Sequence, residues 1–312
     1  MNSRRSWISV LLAATATVVT LLTTVAQAGN GAAGTTVVAK IPTGGQACGV
    51  AAGGGSIWVS NFDTSTVLRV DPASNAVIAT IKVDTHPCGM TWAYGALWIS
   101  TAASRLDRID PATNKVARRI PTGPQSYDVQ AGVGSIWVSN STGTVTRVSP
   151  KTNRVVKTIR IARSSPAGLM AAGGFIWIGE NNGRSIYRIT PRTNAVKRVL
   201  IGRAGPAWFA KGPGALWVSN FRDDSVTRVD LVTGKPGARI PVGTNPVDGD
   251  VLGADLWIPN NGDGTLSRVD TATSQVTDTV TVGGAPSILQ GVGGEIWVAC
   301  YSAGELWRLK PG

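Results

Sequence analysis

Ser56-Ile57-Trp58-Val59-Ser60-Asn61 returns along the chain with little change, as Ser135-Ile136-Trp137-Val138-Ser139-Asn140, Ala215-Leu216-Trp217-Val218-Ser219-Asn220 and Glu295-Ile296-Trp297-Val298-Ala299-Cys300. Seven Trp residues hold this place: Trp58, Trp98, Trp137, Trp177, Trp217, Trp257 and Trp297, at intervals of 40, 39, 40, 40, 40 and 40 residues. Ten or eleven residues after each comes an Arg in a second apolar run, from Arg69 and Arg108 to Arg308. A turn such as Asp71-Pro72-Ala73-Ser74-Asn75 follows. There Asp bonds its own backbone, Pro presets φ, and Asn tolerates the left-handed region. A third apolar run and a Gly/Pro-rich loop complete the unit. Each unit of about 40 residues thus offers four short strands bounded by turn residues, which is the signature of a propeller blade. The reading is all-β: a seven-bladed β-propeller of four-stranded blades. The last unit stops after Leu306-Trp307-Arg308-Leu309, one strand short, while Thr36-Val37-Val38-Ala39-Lys40-Ile41 precedes the first complete unit. This N-terminal strand is expected to close the last blade and remove its open edge.

Composition agrees. In 312 residues, 43% are hydrophobic and 15% charged, too apolar for a disordered chain. Thirty-eight Gly and 17 Pro without a three-residue period exclude collagen and call for many turns, and three Cys exclude a disulfide-built scaffold. Residues 1–28 read as a cleaved signal peptide. Arg4 and Arg5 form the positive start, Trp7 to Val25 is apolar, and Ala26-Gln27-Ala28 is a small-x-small cleavage site. Ser3-Arg4-Arg5-Ser6 also has the look of a twin-arginine signal. The expectation is a secreted, periplasmic or envelope-associated propeller over residues 29–312.

Charge is uneven over that segment. Residues 29–103 carry three basic and three acidic side chains, 104–204 carry 17 against four, and 205–312 carry eight against eleven. A basic stretch of this kind suits an anionic partner. Export argues against nucleic acid and for a protein, a peptide or an anionic cell-envelope polymer, with the chain working as a monomer. Arg118, Arg119, Lys157 and Arg160 belong to this expected basic rim.

Thr66-Val67-Leu68-Arg69-Val70-Asp71-Pro72-Ala73-Ser74-Asn75 resembles the YVTN-type propeller repeat. Ile176-Trp177-Ile178-Gly179-Glu180-Asn181-Asn182-Gly183-Arg184-Ser185-Ile186-Tyr187-Arg188 is similar to the blades of streptogramin (virginiamycin B) lyases. Such lyases open a cyclic ester by elimination, using a His before the blade Trp, a Glu after it, and Mg²⁺. That resemblance implies Glu180 as the matching Glu. The His position holds Cys48, Cys88, Tyr127, Ala167, Ala207, Val247 and Ser287, and the single histidine, His86, lies in another blade. An elimination needs a base at the acidic C–H and a group assisting the leaving oxygen. Without the His/Glu pair the reading leans to a non-enzymatic binding or scaffold protein. The alternative is a metal-assisted lyase or hydrolase with Glu180, Asp248 or His86 as its acid–base residue.

A feature present in every blade serves the architecture, so the Trp and Arg columns are read as structural, Arg stacking on Trp or pairing with the turn Asp. Departures from the repeat are better site candidates. Nine residues before each Trp, Gly49, Gly89 and Gly168 give way to Asp128, Trp208 and Asp248, with Tyr127 and Asp250 alongside. Tyr127, Asp128, Glu180, Trp208, Arg222, Asp248 and Asp250 form the candidate binding set. Asp248, Asp250 and Asp263 are the candidate oxygen ligands for Mg²⁺ or Ca²⁺. Among Cys48, Cys88 and Cys300, one disulfide or buried thiols are expected, with a Cys/His metal site as the rival.

Overall fold

The tight hairpins of this chain are set by residues that tolerate positive φ. Gly54 (φ 61°) and Gly55 (φ 71°) join the first two strands of the first blade, Ala47–Gly53 and Ser56–Asn61. Two successive positive-φ residues are what a twist-matched two-residue hairpin requires. The outer turn is built as its sequence suggests. Asn75 (φ 59°) donates its N–H to the Asp71 carbonyl at 2.9 Å, and Ser74 Oγ donates to Asp71 Oδ2 at 2.6 Å. Strands Thr66–Asp71 and Ala76–Lys82 flank it and complete blade 1. The computed structural model describes residues 34–161 and 164–312. The expected signal peptide, residues 1–28, lies outside the described residues.

Among the described residues, twenty-eight strands form seven four-stranded antiparallel sheets, each running from an innermost to an outermost strand. Blade 7 takes its three inner strands from Pro286–Val292, Glu295–Cys300 and Glu305–Lys310. Its outermost strand is Thr36–Pro42, with Val37 opposite Leu309 and Ile41 opposite Leu306. The N-terminal strand therefore closes the ring, and each blade edge that would pair with another chain is confined to the outer rim.

The core lies between blades. All seven repeated Trp residues are fully buried, and each indole packs across to the next sheet: Trp58 of blade 1 meets Leu97, Ile99 and Ile109 of blade 2. Trp297 of blade 7 packs on Val50, Ile57 and Val59 of blade 1, so the seam at the chain ends is packed like the others. Trp58 Nε1 donates to the Gly53 carbonyl at 3.0 Å, which satisfies the one polar atom of a buried indole.

The Arg column stacks over the Trp column, with guanidinium-to-ring distances of 5.0 Å for Arg69 on Trp58 and 4.9 Å for Arg147 on Trp137. Its polar partner differs from the expected turn Asp. Arg69 Nη1 donates to the Pro111 carbonyl (2.8 Å) and Asn114 Oδ1 (3.0 Å), which belong to the turn of the next blade. Arg147 reaches Pro191 and Asn194 in the same way, and Arg308 reaches Pro72 and Asn75 across the seam. The turn Asp is already engaged, because its carboxylate caps its own turn. Arg308 adds a charged bond to Glu295 Oε2 at 2.6 Å. Blade 7 has no such turn, and Arg268 donates to the Gly312 carbonyl at 3.3 Å instead. In blade 2, Ala96 replaces the Ser that accepts from Arg69 Nε in blade 1, and Arg108 Nε is buried without a partner.

Candidate functional site

On a strand, residues two apart share a side, so the positions nine and seven before each Trp form one lining series. The innermost strands of all seven blades contribute to a cavity of about 220 Å³, which places it on the propeller axis. Its polar lining comes chiefly from Asp128, Gln130, Lys211, Asp248, Asp250 and Gln290. Met90, Trp92, Met170 and Leu289 add apolar wall.

Each carboxylate is held in a different way. Asp128, in the innermost strand of blade 3 (Ser126–Gly132), is 7% exposed. Its Oδ1 accepts from Val129 N at 2.8 Å and its Oδ2 from Leu169 N of blade 4 at 2.7 Å. Gly89 of blade 2 makes the room, since a Cβ there would lie 2.5 Å from Asp128 Oδ1. Asp250 Oδ2 accepts from Gln290 Nε2 at 2.8 Å and Gly291 N at 3.0 Å, and Oδ1 from Val251 N at 2.9 Å. Asp248 sits where blade 6 is irregular: its innermost strand is shortened to Asp250–Leu252, and Pro246 makes only an isolated bridge to Asn260.

Burial raises the affinity of all three for protons. Asp128 is pushed up to about 7 by desolvation, with the Leu169 and Val129 N–H groups pulling the other way. Asp248 is pushed well above the carboxylate range by burial first, then by the charge of Asp128, then by Asp250. Asp250 is raised by burial and restrained by its backbone donors and by Lys211. Three carboxylates and one lysine converge on this space, and at neutral pH Asp128 sits near half ionisation.

A solved structure shares the architecture. A chain of Kuenenia stuttgartiensis hydrazine synthase superposes with a TM-score of 0.75 at 14% sequence identity, covering 87% of this chain and 96% of that one. At that identity the likeness is one of fold. No known protein family and no curated protein matches the sequence.

The remaining candidates do not line the cavity. Tyr127 and Trp208 are half-buried and tilt against each other, centroids 5.5 Å apart, beside the cavity rather than lining it. Gly168 makes space for Trp208 as Gly89 does for Asp128, a Cβ there lying 2.8 Å from Trp208 Cε3. Glu180 is 7% exposed at the end of strand Phe175–Glu180, raised by burial and opposed by Arg198, and does not face the cavity. Its strand register sets it opposite Pro166, so the sequence partner Ala167 leaves no His/Glu pair across this blade. Arg222 is an exposed residue of the loop between strands Ala215–Asn220 and Ser225–Asp230, and its Nη2 donates to Asn182 Oδ1 at 2.9 Å.

Asp263 is kept by its own loop: Oδ2 accepts from Thr244 N (2.7 Å) and Oδ1 from Thr265 Oγ1 (2.6 Å). It is not brought to Asp248 and Asp250, and among the described residues no group of three or more His, Cys, Asp or Glu is placed to hold a metal ion. His86 (φ 51°) stacks on Phe62 at 4.6 Å, and Phe62 tilts against Tyr301 at 6.0 Å, an aromatic cluster joining blades 1, 2 and 7. Beside it Cys48 and Cys88 form the disulfide, Cα atoms 5.2 Å apart, while Cys300 is a buried free thiol pushed up to about 12 by desolvation. With two sulfurs bonded to each other, the Cys/His metal arrangement is not formed.

Lys211, Gln130 and Gln290 were not among the residues singled out from the sequence. Asp250 shares its place in the repeat with Gln130 and Gln290, and that second series was the available signal.

Proposed function

We propose that this chain is an exported binding protein whose axial cavity takes a small organic cation, an amine or guanidine held among Asp128, Asp248 and Asp250. The observation that carries the reading is the charge of the cavity against its cost. Burying carboxylates is expensive, and the architecture does not need them, because the other blades hold uncharged residues at the same places, such as Gly49, Ile288, Ala51 and Gln130. Side chains kept against the interest of stability mark functional positions. With all four ionised, three Asp against one Lys leave the cavity two charges negative. The carboxylates that backbone N–H groups orient are ready to accept from an ammonium, and the Met and Trp wall suits its alkyl part. The Cys48–Cys88 bridge supports the export half of the proposal, since such bonds persist in oxidising compartments. The outer turns support a place among YVTN-type propellers. The lyase alternative lacks its pair, and no step is assigned to Glu180.

Titration calorimetry with putrescine and agmatine, against a neutral diol of matched length, tests this. A cation favours the ionised carboxylates, so its binding releases protons and tightens as pH rises through about 7. Asp248→Asn is expected to weaken amine binding by roughly tenfold or more, the loss of one buried charge-assisted contact. Equal affinity for the diol, or no binding of either amine at pH 8, would sink the reading.

A further inference from the structure

The second departure from seven-fold symmetry lies on the outside. The outermost strand of blade 2 (Lys115–Pro121) carries three cations, that of blade 3 (Arg154–Arg160) three, and that of blade 4 (Ala195–Leu200) two, with no carboxylate on any of them. The other four outermost strands together hold three cations and one carboxylate. At several equivalent places the other blades hold uncharged residues, such as Ala79, Thr80 and Ala238, so the fold does not ask for this density of charge. Neighbouring blades make the band continuous around one side of the rim.

These cations are mostly unpaired. Arg118, Lys157 and Arg160 are exposed, and none has an ion-pair partner among the described residues. Arg119 has one, Asp107, at 3.7 Å, which is fully buried beneath it and leaves the guanidinium half exposed. Unpaired like charges on one face repel one another, and a counter-charged partner relieves that cost. Arg predominates, whose planar fork donates to phosphate and carboxylate oxygens two at a time. The band is convex and spread over three blades, which suits a long flexible chain lying along it and not a compact small anion.

We infer that the outer rim of blades 2 to 4 binds a linear polyanion, its phosphate or carboxylate groups spaced along the chain. This face is separate from the axial cavity, and either reading can fail without the other. The probes are long-chain polyphosphate and polygalacturonate, with phosphatidylglycerol vesicles as the alternative surface, measured by binding at low and raised salt. The wild-type protein is expected to bind at least one polymer, with affinity falling as salt rises. The variant with Arg118, Arg119, Lys157 and Arg160 all changed to Gln should bind it about tenfold or more weakly. A control with Lys82, Lys235 and Lys310 changed to Gln should stay within about twofold. The polymer that binds identifies the anion. Binding to vesicles alone, binding to nothing, or an equal loss in the control overturns the inference. All seven substitutions are at exposed side chains, and unchanged thermal unfolding of both variants shows that only charge was altered.

Discussion

Changing Cys48 and Cys88 together to Ala is expected to lower the stability of the propeller by about 4 kcal/mol, from the entropy of the loop the bridge closes. The two residues are 40 apart, one full blade, and occupy the same place in adjacent innermost strands. In the unfolded chain the bond forbids every conformation in which that blade-length loop is open. In the folded protein it costs little, because the ring already holds the two Cα atoms at 5.2 Å. For a domain of this size the loss corresponds to a drop of roughly 8–16 °C in the unfolding midpoint. Calorimetry with and without a thiol reductant separates the bond from the side chains. Reductant should bring the wild type down to the double variant and leave the variant where it is. A wild-type midpoint that ignores reductant would show that the seam between blades 1 and 2 opens after the rest of the molecule.

The fold was legible because one residue type marks it. Trp58 and its six counterparts recur at a blade's length, and the short final unit with the orphan strand at Thr36–Ile41 announced how the ring closes. What a column cannot show is which blade a side chain faces. The spacing therefore left the Arg column to stack on Trp or pair with the turn Asp, whereas Arg69 stacks on Trp58 and reaches over to Pro111 and Asn114 in the next sheet. The site was half legible for the same reason. Asp128 and Asp248 departed from a Gly column and proved to share a cavity, but Glu180, Arg222, Asp263 and His86 depart from theirs without lining it. Distance from the axis is not written in the spacing. The three cysteines behave alike, since Cys48 and Cys88 share a column and pair, while Cys300 ends a different strand and is left free.

Raising the pH from 5 to 8 is expected to destabilise the protein, and Asp248→Asn to return much of the loss. Asp128 moves from an unfolded value of 3.8 to about 7 in the fold, and Asp107 to about 6, both chiefly through burial. Between those limits the folded state keeps protons that the unfolded chain has released, so stability falls as pH climbs from about 4 to about 7. Asp248 and Asp250 are shifted the same way and add to the slope. Asp71, Asp230 and Asp270 run opposite, lowered by hydrogen bonds in their turns, but their contribution is lost only below about 4 and leaves this window untouched. Every tenfold gain in the proton affinity of a buried carboxylate corresponds to about 1.4 kcal/mol, so the cavity alone can move stability by several kcal/mol across the window. Replacing Asp248 by Asn keeps the shape, removes one buried charge, and relieves the repulsion between it and Asp128. The variant should melt higher than the wild type at pH 8 and alike at pH 5, while losing the amine. That combination separates a carboxylate kept for a ligand from one kept for the fold. A variant that melts lower at both pH values would make Asp248 a structural residue, and the cation reading of the axis would go with it.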